Sequence, residues 1–203
     1  MSEKEIRQVA SEKIEVRAVG DGETKTIGGY AVKYNTPTLM RDRWGDEFLE
    51  EISAGAFEKS LQNRNQKALW NHDTSKPLGS VSAGTLRFNS DTTGLNYDVD
   101  VPDNTYGNDA YVSVQRGDVD GSSFGFICTD NVWSKVQYEG REVYKRSIIE
   151  AELIEVSPCT FPAYESSQIS VRNLDIAKDD LNKEKEIARI EELRKKLILK
   201  TYL

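Results

Sequence analysis

The sequence predicts a mainly β fold with flanking helices, an α+β chain built on a closed or partly open antiparallel β-barrel. Three observations carry this. Short strand-like segments recur at a spacing of about ten residues between positions 78 and 101. Turn-forming Gly, Asn, Asp and Pro separate them. Before residue 174 only two stretches, near 53–61 and 105–116, space their apolar residues as helices do.

Residues 1–12 are charged, poor in apolar side chains and expected to fray, which sets aside 1–13 as a flexible N-terminal segment. Ile14-Glu15-Val16-Arg17-Ala18-Val19 alternates at period two and, with Thr26-Ile27-Gly28-Gly29-Tyr30-Ala31-Val32, forms an opening hairpin across the turn Gly20-Asp21-Gly22-Glu23. Gly28-Gly29 reads as a bulge or a close strand approach, since no helix and no Gly-Lys-Ser/Thr follows it. Thr36-Pro37 breaks the chain, and 38–50 reads as a loop. Phe57 and Leu61 share a helical face that Ser53 could cap. Residues 67–71 form a strand ending at His72, with Asp73-Thr74-Ser75-Lys76-Pro77 as the turn behind it.

Short strands follow at 79–82, 85–88 and 95–101, then a helix starting near Asn104 and ended by Gly117. The next strand carries Ser122-Ser123-Phe124-Gly125-Phe126. Residues 132–138 and 143–149 form a hairpin across Glu139-Gly140-Arg141, and the strand of Glu155 follows. The domain boundaries expected are 14–173 for the barrel and 174–203 for a charged tail. The tail has Ile187, Ile190, Leu193 and Leu197 at spacings of three and four, an amphipathic helix suited to docking on a partner helix.

Composition excludes several classes. A formal net charge of -7 lacks the clustered cations that duplex nucleic acid requires. No apolar run approaches the ~20 residues that span a bilayer, so no membrane partner is expected. The charged start has no apolar stretch behind it, which predicts no secretory signal and a cytoplasmic origin. The two cysteines, Cys128 and Cys159, sit in strand-like apolar context, and no disulfide is expected. One histidine and no His-Glu-x-x-His helix cannot supply the usual zinc ligands, so neither metal nor cofactor is expected.

What remains is a hydroxyl, an imidazole and a carboxylate, the side chains of a nucleophile, its general base and the group that orients the base. His72 is the sole histidine. Strand alternation puts Ser122, Phe124, Phe126 and Cys128 on one face and Ser123, Gly125 and Ile127 on the other. The Phe face is the core face, so Ser123 is the exposed hydroxyl, beside a glycine that admits a substrate backbone. The same rule puts Leu153, Glu155 and Ser157 on one face, opposite Ile154 and Val156.

Ala54-Gly55-Ala56-Phe57, Asn71-His72-Asp73, Pro77-Leu78-Gly79, Gly84-Thr85-Leu86, Gly94-Leu95, Ser123-Phe124-Gly125-Phe126, Glu155-Val156-Ser157 and Phe161-Pro162-Ala163-Tyr164 resemble, in order, the prohead protease family of tailed bacteriophages. The resemblance runs from about Ile14 to Val171. It implies a fold similar to the herpesvirus assemblin proteases, a β-barrel wrapped by a few helices. It also implies a serine endopeptidase inside the immature capsid, in the host cytoplasm, that cleaves scaffolding protein or the scaffold-like N-terminal part of the major capsid protein, and also itself. Self-association and removal of the tail by self-cleavage are further expectations.

Carried over by motif, His72 would be the base, Ser123 the nucleophile and Glu155 the third member. Assemblins use a second histidine there, which this chain lacks, and Glu152 and Asp73 remain alternatives. Assemblins also carry an arginine soon after the nucleophile's glycine, where this chain has Phe126, leaving the oxyanion to backbone N–H groups or to Arg141 or Arg146. Two rival readings stand beside this one: a cysteine protease using Cys128 or Cys159 with His72, although Cys128 on the Phe face should be buried and unreactive, and a non-catalytic β-barrel assembly factor that binds scaffold through the tail.

Overall fold

The computed structural model describes residues 5–9, 14–19, 24–41 and 45–160, with helical positions between 179 and 192. The elements in order are β1 (Glu5–Val9), β2 (Glu15–Val19), β3 (Thr24–Lys33), β4 (Thr38–Arg41), β5 (Glu47–Ile52), α1 (Glu58–Asn63), β6 (Lys67–Trp70) and β7 (Asp73–Ser80). After these come β8 (Leu86–Ser90), β9 (Gly94–Asp100), α2 (Thr105–Arg116), β10 (Gly121–Tyr138) and β11 (Arg141–Cys159).

The chain is mainly β, but its sheets are not closed into a barrel. A seven-stranded sheet runs β1-β10-β11-β5-β4, with β6 joined to β11 and β7 to β6, and a four-stranded sheet runs β2-β3-β9-β8. Nor is the larger sheet all antiparallel, since β11 pairs in parallel with β5 through Tyr144–Ile148 and with β6 at Glu155 and Val156. The expected succession of short strands, the basis for a barrel, is replaced here by two very long ones. The Ser123 strand and residues 132–138 are one strand, β10, and residues 143–149 and the Glu155 strand are one strand, β11. Register shifts at Gly125/Phe126, Cys128/Asp130 and Asp130/Asn131 bend this ribbon without closing it.

Both sheets contribute to one core. Phe124, Phe126, Leu153 and Val156 of the larger sheet join Ile27, Val32, Leu95, Tyr97 and Val99 of the smaller. Phe57 packs edge-on against Phe124 and Phe126, with centroids 6.0 and 6.2 Å away. Helix α2 adds Ala110 and Val114. Asn104 caps it by accepting from the Gly107 N–H at 2.9 Å, and Gly117 ends it in the left-handed conformation, φ 78°. Gly28 is a close approach: a Cβ there would lie 2.1 Å from Asp98 Oδ1.

Four local expectations are corrected. Residues 38–50 are not a loop but contain β4 and β5, because the charged Glu50 that argued against a strand is neutralised inside the fold. Helix α1 begins at Glu58 behind Phe57, with no side-chain cap from Ser53. Asp73–Pro77 is strand, not turn, and the reversal occurs at Asn71-His72 instead. Glu5–Val9, within the segment expected to fray, is a strand on the edge of β10. The second compact unit, residues 169–203, lies largely outside the described residues; its described positions between 179 and 192 are helical, and Ile187 and Ile190 are exposed there.

The buried charges explain why β1 and β5 belong to this sheet. Arg7 binds Glu50 through Nε and Nη2 and Glu5 through Nη2 (2.6 Å), while Arg146 donates to Glu5 (2.8 Å) and Glu50 (3.0 Å). Burial pushes the Glu50 carboxyl up, but the charge and hydrogen bonds of Arg7, with those of Arg146, outweigh it and hold it below its ordinary value. A lowered folded value means that Glu50 stabilises the fold above the ordinary carboxylate pKa and loses this as pH falls through the folded value. Glu50→Ala leaves two buried guanidiniums facing one carboxylate, and urea unfolding is expected to show a loss of about 3–5 kcal/mol. The variant's stability should also fall less steeply on acidification below pH ~4 than the parent's.

Candidate active site

Strands β6, β11 and β10 lie side by side and bring the three sequence-predicted residues to one region of the sheet. Asn71 (φ 51°) and His72 (φ 61°) form the two-residue connection from β6 to β7, with Trp70 paired to Asp73. Such a tight hairpin needs positive φ at both central positions, which Asn tolerates well and His less so. The strain, of order 1–2 kcal/mol, is held by bonds to the end of β11. The Asn71 N–H donates to Pro158 O (3.1 Å), the Thr160 N–H to Asn71 Oδ1 (3.0 Å) and the His72 N–H to Ser157 Oγ (3.3 Å).

The imidazole meets Glu155, a residue only 1% exposed. His72 Nδ1 lies 2.8 Å from Glu155 Oε1, and the Ser157 hydroxyl donates to Glu155 Oε2 at 2.8 Å. A carboxylate only accepts, so the neutral ring carries its proton on Nδ1 and presents a lone pair at Nε2. Nε2 is buried and has no hydrogen-bond partner among the described residues.

Glu155 reaches this face through a bulge. Gly125 pairs with Glu155 but Phe126 pairs with Leu153, so Ile154 is the extra residue. Simple alternation, which put Leu153 on the face of Glu155, therefore fails: Leu153 and Val156 both enter the core, and Glu155 and Ser157 share the opposite side. Ser123 stands directly across from Ser157, at a Cβ separation typical of cross-strand neighbours, about 4.5–5.5 Å. The Ser123 hydroxyl does not bond His72; it donates to Arg7 O in β1 at 2.8 Å, and the residue is fully buried. Ser122 turns the other way, donating to the Tyr97 hydroxyl at 3.2 Å inside the core.

The alternative acids are engaged elsewhere. Glu152 pairs with Arg64, and Asp73 accepts from the Ser75 hydroxyl (2.6 Å) and N–H (2.9 Å) and pairs with Lys76. Arg141 binds Glu47, and Arg146 lies in the buried cluster, its Nη1 and Nη2 on Glu5 and Glu50 and its Nε without a partner among the described residues. Sequence reasoning missed three contributors. Ser157 could have been found from its i, i+2 relation to Glu155; Asn71 and Arg7 act through backbone geometry or a distant pairing that no local pattern announces.

The family model of caudovirus prohead serine proteases matches residues 12–181. The chain belongs to that family. It is a phage capsid-maturation protease by family, and the match spans His72, Ser123 and Glu155 while leaving β1 outside it. No curated protein and no solved structure gives a significant match.

A cysteine mechanism fits this prohead protease poorly. Cys159 is buried, its thiol donates to Gly121 O at 3.8 Å, and burial, followed by the negative charge of Glu155, pushes its pKa up to about 12. Cys128 is half-buried rather than buried, and desolvation raises its pKa too. Nucleophilic thiols have lowered pKa values. Iodoacetamide at pH 8 is expected to leave Cys159 unmodified in the native protein and to alkylate it after denaturation, as read by peptide mass spectrometry.

Proposed function

We propose that this chain is a serine endopeptidase that, inside the prohead, cuts the scaffolding protein or the scaffold-like N-terminal part of the major capsid protein, and also cuts itself. Ser123 is the nucleophile, His72 the general base and Glu155 the group that orients the base. The observation that carries the reading is the 2.8 Å contact of Glu155 with His72 Nδ1, which leaves a buried Nε2 with no partner among the described residues, on a turn fastened to the strand that pairs with that of Ser123.

The chemistry follows from those atoms. As Ser123 Oγ bonds to the scissile carbonyl carbon, its proton passes to His72 Nε2, and Glu155 stabilises the imidazolium through Nδ1. Ser157 keeps the carboxylate in place by donating to its second oxygen. The tetrahedral oxyanion is held by backbone N–H groups, since Arg141 and Arg146 are both paired with carboxylates. Collapse breaks the C–N bond, the amine leaves with the proton from Nε2, and water then hydrolyses the acyl-serine by the same route. The tail beyond residue 174, where composition shifts to alternating charges, is the segment we assign to scaffold docking and to removal by self-cleavage.

Co-expression with the capsid protein tests this by gel and mass analysis of products. Ser123→Ala is expected to abolish cleavage, a loss of about 10⁴-fold or more, and Glu155→Gln to lower it by about 10²–10⁴-fold. Ser122→Ala and Glu152→Ala should still cut. Normal processing by Ser123→Ala would overturn the assignment and favour a non-catalytic assembly role. Truncation near residue 173 is expected to preserve cleavage of a peptide substrate and abolish incorporation into proheads; loss of peptide cleavage would remove the docking role.

A further inference from the structure

We propose that the edge of β10 beside Ser123 is a docking site for an extended peptide, and that β1 occupies it as an internal ligand matched by charge. The inference rests on Ser123 being the nucleophile proposed above. In the sheet, β1 pairs with β10 alone, antiparallel, with Gln8 opposite Ser123 and Ile6 opposite Gly125. Taking β1 away leaves the unpaired N–H and C=O groups of a sheet edge, the surface on which peptides add as a further strand.

Two facts make the occupancy inhibitory. A serine hydroxyl has one proton to donate, and Ser123 gives it to Arg7 O of β1 at 2.8 Å. The acceptor that catalysis would require, His72 Nε2, is buried with no donor among the described residues. With β1 seated, the nucleophile is covered and its proton is turned away from the base.

The charges define what else the edge would take. Arg7 and Glu5 pair with Phe124 and Phe126, which puts their side chains on the inner side of the sheet, where the Arg7 guanidinium lies 5.6 Å from the Phe126 ring centroid. There they meet Glu50 and Arg146, which the body of the protein supplies. A cleft lined by Arg7, Met40, Glu50, Ile52 and Phe124 continues beside them. A strand carrying an acid and, two residues on, a base would replace β1 charge for charge. One lacking them would leave Glu50 and Arg146 paired only with each other and forfeit the charged hydrogen bonds that Arg7 and Glu5 supply to them. The ligand class is therefore an extended peptide with an acid-x-base pattern.

The test uses the full chain, with Glu5→Gln/Arg7→Gln to weaken β1 and Gln8→Pro as a second variant that weakens strand pairing but keeps the four charges. Hydrogen exchange is followed by mass spectrometry on a Ser123→Ala background. Exchange at 122–126 is expected to rise at least tenfold in both variants while 145–148 stays protected. A synthetic peptide of residues 3–11 should restore protection, and the same peptide with residues 5 and 7 exchanged should not. With Ser123 intact, a fluorophosphonate probe should label the variants at least tenfold faster than the parent, and the peptide should slow this. Unchanged exchange at 122–126 in both variants, or equal protection by the two peptides, overturns the inference. If exchange responds as expected but no variant is labelled at Ser123, strand docking stands and the nucleophile assignment is what fails.

Discussion

The pairing of β10 with β11 is the constraint on which both core and site depend. Glu139-Gly140 joins the two strands in a tight reversal, and from there the register runs unbroken in direction to Gly121 and Cys159. Side chains alternate with period two, so a slip of one residue would drive Ser123 into the core and expel Phe124. The aromatic faces prevent that slip: Phe124 and Phe126 stack at 5.4 Å and sit against Phe57. The hydroxyl face is thus specified by what the opposite face must bury. The bulge at Ile154 then resets alternation, so that Glu155 and Ser157 face the same side as Ser123 while Leu153 stays inside.

The polar groups in this sheet obey one rule, that a desolvated charge must be answered. Glu155 is answered by His72 and Ser157, and Glu50 by Arg7 and Arg146. The first cluster fixes a ring tautomer. The second fastens the N-terminal strand across the edge where Ser123 lies. Both are built from residues far apart along the chain, which makes each sensitive to the tertiary arrangement as a whole.

Much of this was legible beforehand. The β2–β3 hairpin, α2 with its Asn104 and Gly117 ends, and the β10–β11 hairpin each carry local signals strong enough to read, namely alternation, a cap and a glycine turn. The family resemblance of the ordered motifs was legible too, and the match over residues 12–181 bears it out. Failures came where tertiary contacts overrode local propensity. Charged β5 is a strand because Glu50 finds two arginines; Asn71-His72 turns because β11 holds it; Glu5–Val9 is ordered because β10 offers an edge.

By itself the sequence determined a β-rich domain, its two helices' neighbourhoods and the few residue types able to perform acyl transfer, because these rest on periodicity and side-chain chemistry. Only the tertiary structure decided that the sheets stay open, that Glu155 rather than Glu152 or Asp73 meets the imidazole, and that Arg7 O holds the Ser123 proton. Those outcomes depend on strand register, on one extra residue in β11 and on charge pairs spanning 43 to 141 positions, and no window of local sequence contains them.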